Sequence, residues 1–283
     1  MRLRYVNPHT VAEALGTLAS ESGRLLAGGT DFYPSLGSGK PDGLIIDLSR
    51  LDELNGIVLA QDTARIGAGT TWTMIAKANL PPCFDGLKAA AREIGSRQIQ
   101  NRGSIGGNLC NASPAADGVP PLLALGAEVE LTSRQGRRSL ALGDFILGPR
   151  RTALLPGELL TAVIVPLPVP RTVSSFRKLG SRTYLIISIV MVAVTISVDD
   201  RGGIVDARIA VGACSPVGLR LPALEGVLKG KSLVPGLGRL IEDQHLAELA
   251  PIDDLRATAR YRLGAARVLI GRALDDCAAR LRS

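Results

Sequence analysis

The sequence has little of the material from which most catalytic and metal sites are built. It contains two histidines among 283 residues, and 3% of its residues are aromatic. His9 lies beside a proline and His245 lies in a segment with helical periodicity, so we expect both to be structural. Carboxylates are numerous but form no paired motif. We therefore predict no metal ligands and no catalytic residues in this chain, and any chemistry must come from a cofactor.

Cysteine is also scarce. Four cysteines are too few and too scattered for a disulfide scaffold, and none has the Cys-x-x-Cys spacing typical of zinc or iron–sulfur ligands. We expect buried or free thiols in a reducing compartment, and hence a cytoplasmic protein. The four residues are Cys83, Cys110, Cys214 and Cys277.

Long hydrophobic runs are missing too. The longest uncharged run, 183–198, is shorter than the roughly 20 residues of a transmembrane helix. Its richness in Ile and Val favours a buried strand. The start of the chain lacks the apolar core of a signal peptide. We therefore expect no membrane span.

The basic charge of the chain has no focus. The net charge is +7, but the basic residues are spread along the whole sequence, and few aromatic side chains are present to stack on bases. Nucleic-acid binding is therefore not expected. A basic surface of this kind also suits an anionic cofactor or an acidic partner.

The pattern of predicted elements changes near residue 168. Before it, we predict helices at 10–20, 70–78 and 85–94, strands at 24–27, 44–48 and 64–68, and a hairpin of 127–133 with 137–141. Thr10 and Glu13 form a capping-box pattern at the first helix. Three prolines in 166–170 mark a domain boundary. After it, we predict a hairpin of strands 184–198 and 204–213, helices at 222–228 and 237–249, and a long final helix capped by Asp254.

Two glycine-centred loops are the strongest candidates for a binding site: 25–31, LLAGGTD, and 101–108, NRGSIGGN. Glycine lets the backbone come within hydrogen-bonding distance of a phosphate, because no Cβ is in the way. Thr30 adds a hydroxyl, and a helix starting after the first loop would present free N–H groups. Each loop by itself could also be a tight turn, and neither has Rossmann or P-loop spacing. Together with the long irregular segment 95–121, they favour one extended ligand held from both sides.

Three segments resemble the FAD-binding medium subunit of the xanthine dehydrogenase and carbon monoxide dehydrogenase family. They are AGGTD at 27–31, IGSRQIQNRGSIGGNLCNASPAAD at 94–117 and FRKLGSR at 176–182. The similarity runs over nearly the whole chain and includes RATARYRLGAARVLIGRAL at 256–274.

The resemblance implies an α+β fold of two domains. Residues 1–168 would form a p-cresol methylhydroxylase-type FAD-binding domain, with two α+β subdomains at about 1–55 and 56–168. Residues 169–283 would form a C-terminal domain of the carbon monoxide dehydrogenase flavoprotein type, with a three-stranded antiparallel sheet and helices.

The same resemblance implies non-covalent FAD, extended between the subdomains. Its pyrophosphate would be held by Ala27, Gly28, Gly29, Thr30, Asp31, Ser104, Ile105, Gly106, Gly107 and Asn108. Asp117 would accept hydrogen bonds from ribose hydroxyls, or else cap a helix. Lys178 would lie near the isoalloxazine ring, or else on the surface. Tyr184 would cover one face of the ring, or else pack as a strand residue. The family often has Asp where this chain has Ile186, so a polar contact there is not expected.

The function implied by the resemblance is electron transfer within a heteromeric molybdenum hydroxylase. A large subunit would carry molybdopterin and a small subunit [2Fe-2S] clusters, assembled as a dimer of heterotrimers. Electrons would pass from the clusters through this flavin to NAD⁺, oxygen or another acceptor. A stand-alone FAD oxidoreductase on the same scaffold is the alternative, but it needs its own acid, base or flavin-linking residue. A module without flavin would have lost the glycine loops, and both are intact.

Overall fold

Four sheets and nine α-helices form the parts of the chain that the computed structural model describes, residues 3–169, 171–182 and 187–281. No helix within these ranges is both long enough and apolar enough to cross a bilayer. The four cysteines are free thiols, as predicted. Burial raises the pKa of Cys83 to about 11 and the pKa of Cys214 and of Cys277 to about 12.

The chain begins with a parallel three-stranded sheet in the order β1-β3-β2. Its elements are β1 (Arg4–Val6), α1 (Val11–Ser20), β2 (Arg24–Leu26) and β3 (Leu44–Asp47). The predicted cap of α1 is confirmed, because Thr10 Oγ1 accepts a hydrogen bond from the N–H of Glu13 at 3.1 Å. The helix expected after the first glycine loop is wrong. Pro34 follows the loop and Gly37 has a φ of +57°, so only a three-residue 3₁₀ turn forms.

The second sheet is antiparallel, in the order β4-β5-β10-β6-β7. Its strands are β4 (Ile57–Leu59), β5 (Thr63–Gly67), β6 (Glu128–Ser133), β7 (Gly136–Ala141) and, after the pair β8 (Ile146–Gly148) and β9 (Arg151–Thr152), β10 (Leu159–Pro166). The predicted hairpin is thus confirmed as β6 and β7. The helices of this region are α2 (Trp72–Lys77), α3 (Asp85–Glu93), α4 (Arg97–Arg102), α5 (Ile105–Asn111), α6 (Val119–Ala124) and α7 (Leu142–Phe145).

The segment 95–121 is more regular than its sequence predicts, since α4, α5 and the start of α6 lie in it. Each is six or seven residues long, too short for an apolar period to be visible. Caps define two of them instead. Ser96 Oγ accepts from the N–H of Ile99, and Ser104 Oγ accepts from the N–H of Gly107.

The last sheet, in the order β11-β12-β13-β14, lies between two cores. It consists of β11 (Thr172–Leu179), β12 (Val190–Val198), β13 (Ile204–Gly212) and the two-residue β14 (Leu219–Arg220), and it is followed by α8 (Pro222–Leu228) and α9 (Ala259–Arg280). The three long antiparallel strands agree with the prediction. One face packs on α3 and α6 and the other on α9. Every residue of β12 is therefore buried, which explains the apolar run.

Three details of the C-terminal prediction are wrong. The first strand begins at Val190 rather than at 184. The segment 237–249 forms two 3₁₀ turns rather than one helix, because Gly236 has a φ of +86° and Gly238 packs on the backbone of α9. Thr258 caps α9, whereas Asp254 accepts hydrogen bonds from its own loop and from Arg262.

Candidate functional site

A cleft of about 930 Å³ is lined by residues of both glycine loops. Among the predicted pyrophosphate residues, nine line it: Ala27, Gly28, Gly29, Thr30, Asp31, Ser104, Gly106, Gly107 and Asn108. The tenth, Ile105, is fully buried in the core. Residues from distant parts of the sequence thus meet at one site, with the side chain of Ile105 anchoring the second loop.

The two loops touch each other closely. A Cβ added to Gly28 would lie 1.8 Å from the carbonyl oxygen of Arg102, so only glycine fits at this position. The second loop is also fastened to the strand β5 side of the cleft, because the N–H of Gly106 donates to Ala68 O at 2.8 Å and the N–H of Ile105 donates to Thr70 O at 3.0 Å. Backbone contacts therefore hold both glycine loops in place.

The loops differ in the hydrogen bonds that they can offer. The N–H groups of Gly29, Thr30 and Asp31 have no acceptor among the described residues. The N–H groups of the second loop are already taken, since that of Gly107 donates to Ser104 Oγ and that of Asn108 to Ser104 O. The first loop can donate to an anion, while the second allows close approach because it has no side chain at Gly107.

The charge of the cleft is positive. Arg24, Arg102 and Arg150 line it, against Asp31 as the acid among the described lining residues. The guanidinium of Arg24 lies 4.4 Å from the ring centre of Phe32, in a cation–π contact. These arginines were not among the predicted site residues. Arg102 could have been found from its place next to the second loop, but Arg24 and Arg150 have no local signal.

These features fit an extended dinucleotide cofactor with a pyrophosphate. Free backbone N–H groups and arginines suit the negative charge of the pyrophosphate. The glycines leave space that a Cβ would fill, so the pyrophosphate could come close to the backbone. Asn108 also lines the cleft, and its Oδ1 is buried without a donor among the described residues.

Asp117 and Lys178 form a buried ion pair. Lys178 Nζ donates to Asp117 Oδ2 at 2.6 Å and to the carbonyl of Glu93 at 3.3 Å, and the lysine side chain is 4% exposed. Lys178 is therefore not a surface residue, and Asp117 is not a helix cap, because α6 has no side-chain cap. The described lining residues of the cleft do not include the pair, although Ile94, next to Glu93, lies on its wall.

Burial dominates the electrostatics of the pair. It raises the pKa of the Asp117 carboxyl, while the ammonium of Lys178 and the hydroxyl of Ser188 oppose the rise. Burial also raises the pKa of the neighbouring Glu93 carboxyl. The roles predicted for Asp117 at a ribose and for Lys178 at a flavin ring stay predictions. Tyr184 and Ile186 lie outside the described residues.

Comparison with known proteins matches both halves of the chain. The family model for the FAD binding domain in molybdopterin dehydrogenase matches residues 1–168, and the model for the CO dehydrogenase flavoprotein C-terminal domain matches residues 174–277.

Individual relatives agree with these models. The nicotinate dehydrogenase FAD-subunit of Eubacterium barkeri is 37% identical over 80% of this chain and 79% of its own length. The xanthine dehydrogenase FAD-binding subunit of Escherichia coli O157:H7 is 31% identical over 97% of this chain and 96% of its own. A chain of carbon monoxide dehydrogenase from Hydrogenophaga pseudoflava superposes with a TM-score of 0.91 at 30% identity, covering 99% of this chain and 98% of that one.

Proposed function

This chain belongs to the family of FAD-binding medium subunits of molybdenum hydroxylases, which includes those of xanthine dehydrogenase and carbon monoxide dehydrogenase. From this membership we propose that the chain passes electrons between the other subunits and an external acceptor. The cleft that both glycine loops line is the observation that carries the proposal. Bound FAD supplies the redox chemistry, since a flavin takes up electrons singly and can release them in pairs.

The residues of the cleft divide the binding of FAD between them. The free N–H groups of Gly29 and Thr30 would donate to the pyrophosphate, and Arg102 would balance its charge. Gly107 would allow the pyrophosphate to approach the second loop. The ring end would then lie toward Lys178, whose buried ammonium can balance negative charge on a reduced ring.

The remaining subunits follow from the same proposal. A small subunit would supply electrons from [2Fe-2S] clusters, a large subunit would carry molybdopterin, and NAD⁺, oxygen or another acceptor would remove the electrons. A dimer of heterotrimers is the assembly we propose. The free cysteines support a cytoplasmic location, where thiols stay reduced.

We expect FAD to be bound without a covalent link, one per chain. The cleft offers FAD hydrogen bonds from backbone N–H groups and positive charge from arginines, and both kinds of contact are non-covalent. Mild acid precipitation of the yellow protein should therefore release all flavin into the supernatant, where its absorption spectrum measures the amount. Yellow colour that stays with the precipitate would show a covalent link instead.

The outer face of α9 is our proposed docking surface for a partner subunit. A groove of about 560 Å³ runs along it from Leu179, next to Lys178 in β11. Tyr261 and Val268 line the groove and are 54% and 51% exposed. Arg260 and Arg272 lie along it, and neither has an ionic partner among the described residues. The occupant that fits is a partner segment with apolar side chains flanked by carboxylates. We propose that this segment belongs to the subunit that gives electrons, because the groove begins at Leu179, next to Lys178.

Val268→Asp should therefore abolish co-purification with the partner subunits while FAD stays bound. The added carboxylate would be desolvated in the interface and would repel an acidic partner. Val227→Asp is the matched control, because Val227 is an exposed valine of a helix, α8, away from the groove. Size-exclusion chromatography of the co-expressed subunits gives the result. An intact complex with Val268→Asp would rule out this face.

A further inference from the structure

Ser188, in the connection between β11 and β12, contacts the Asp117–Lys178 pair. The Ser188 hydroxyl donates to Asp117 Oδ1 at 2.6 Å, while Lys178 Nζ donates to Asp117 Oδ2 at 2.6 Å. Ser188 is 2% exposed. Both carboxylate oxygens are thus engaged, one by each partner, and the plane of the carboxylate is determined by the two hydrogen bonds together.

The backbone that carries Ser188 is itself held from α9. Arg262, almost fully buried, donates through Nη1 to the carbonyl of Ile189 at 2.6 Å and to that of Ala213 at 3.1 Å. Its Nη2 donates to Asp254 Oδ1 at 2.7 Å. The Nε of this buried guanidinium has no partner among the described residues, so its charge depends on the hydrogen bonds of Nη1 and Nη2. Moving Ile189 would remove one of them, which is costly for a buried charge. Ser188, the preceding residue, is held in place with Ile189.

We propose that Ser188 is a positioning residue for the FAD site: its hydroxyl orients the carboxylate of Asp117, which in turn holds the ammonium of Lys178 where the flavin ring is bound. The inference rests on the proposed function, because Lys178 is placed at the flavin ring only in that proposal. It assigns Ser188 a part in FAD binding that acts through Asp117 and Lys178 and not by direct contact with the cofactor.

The experiment measures the dissociation constant of FAD for the full apo chain, from the quenching of flavin fluorescence. Ser188→Ala should weaken binding about tenfold, because the carboxylate loses one of its two orienting hydrogen bonds. Ser188→Thr keeps the hydroxyl and should restore binding to within about threefold of the wild type. Ser197→Ala is the matched control. It also removes a buried serine hydroxyl, but Ser197 lies in β12 and its hydroxyl bonds to Thr172.

A merely structural serine is distinguished by a double-mutant cycle. In the Asp117→Asn background the charge that Ser188 orients is gone, so Ser188→Ala should change the dissociation constant less than about twofold. An equal loss in both backgrounds, or no loss in either, would overturn the inference. A wild-type chain that binds no FAD would instead refute the proposed function.

Discussion

Gly107→Val is expected to abolish FAD binding and leave the apo chain folded. Gly107 is exposed on the cleft wall, and a Cβ added there meets only Ser104 Oγ, at 3.0 Å. The valine side chain would then occupy the space through which we expect the pyrophosphate to approach. We expect the affinity for FAD to fall at least ~100-fold, about 2.8 kcal/mol.

Absorption and fluorescence titration of the purified variant measure the loss of flavin, and thermal melting of the apo chain measures its fold. Gly226→Val is the matched control, because Gly226 is an exposed helical glycine with open space around it. Gly226→Val makes the same change in helix propensity, but it lies away from the cleft. Unfolding of Gly107→Val without selective loss of flavin would favour the tight-turn interpretation of this loop.

Gly29→Val tests the first loop in the same way, with a larger effect on the backbone. Gly29 has a φ of +76°, and an added Cβ would lie 2.8 Å from the ring of Tyr33. Gly202→Val shares the strain, with a φ of +80°, but lies in open space in the β12–β13 hairpin. Flavin should be lost in the first variant and kept in the second. Equal flavin content in both would contradict the assignment of Gly29.

The second large effect that we expect is a complete dependence of substrate turnover on partner subunits. The described residues contain no group of three or more His, Cys, Asp or Glu side chains that could hold a metal. Buried cysteines with raised pKa values are poor nucleophiles and metal ligands. A flavin held by backbone loops stores and passes electrons, but it needs a donor that has already oxidised the substrate.

Reconstitution measures this dependence. Dye reduction by N-heterocycles, aldehydes or carbon monoxide should be absent with the isolated FAD-loaded chain and appear when the molybdenum and iron–sulfur subunits are added. The Gly107→Val variant with both partner subunits is the control, because it tests whether dye reduction needs the flavin of this chain. Robust substrate oxidation by the isolated chain would refute the subunit proposal and support a stand-alone oxidase.

Local chemistry explains which parts of the fold could be predicted. Thr10 caps α1 through a bond to the third residue on, and the hairpin of β6 and β7 pairs residues a few positions apart. Such interactions depend on neighbours in sequence. Predictions failed where packing decided, as in 237–249, where the contact of Gly238 with α9 favours short turns over a helix.

The candidate site divides in the same way. By itself, the sequence determined the glycine loops and the residues that resemble the family's FAD motifs, because backbone freedom and motif spacing are local properties. Only the tertiary structure decided that Arg24 and Arg150 join the cleft and that Lys178 is a buried partner of Asp117 and not a surface residue. Asp117 is separated by 61 residues from Lys178 and by 71 from Ser188. Contacts across such separations exist only once the sheets have packed, since burial then forces each charged or polar group to find its partner.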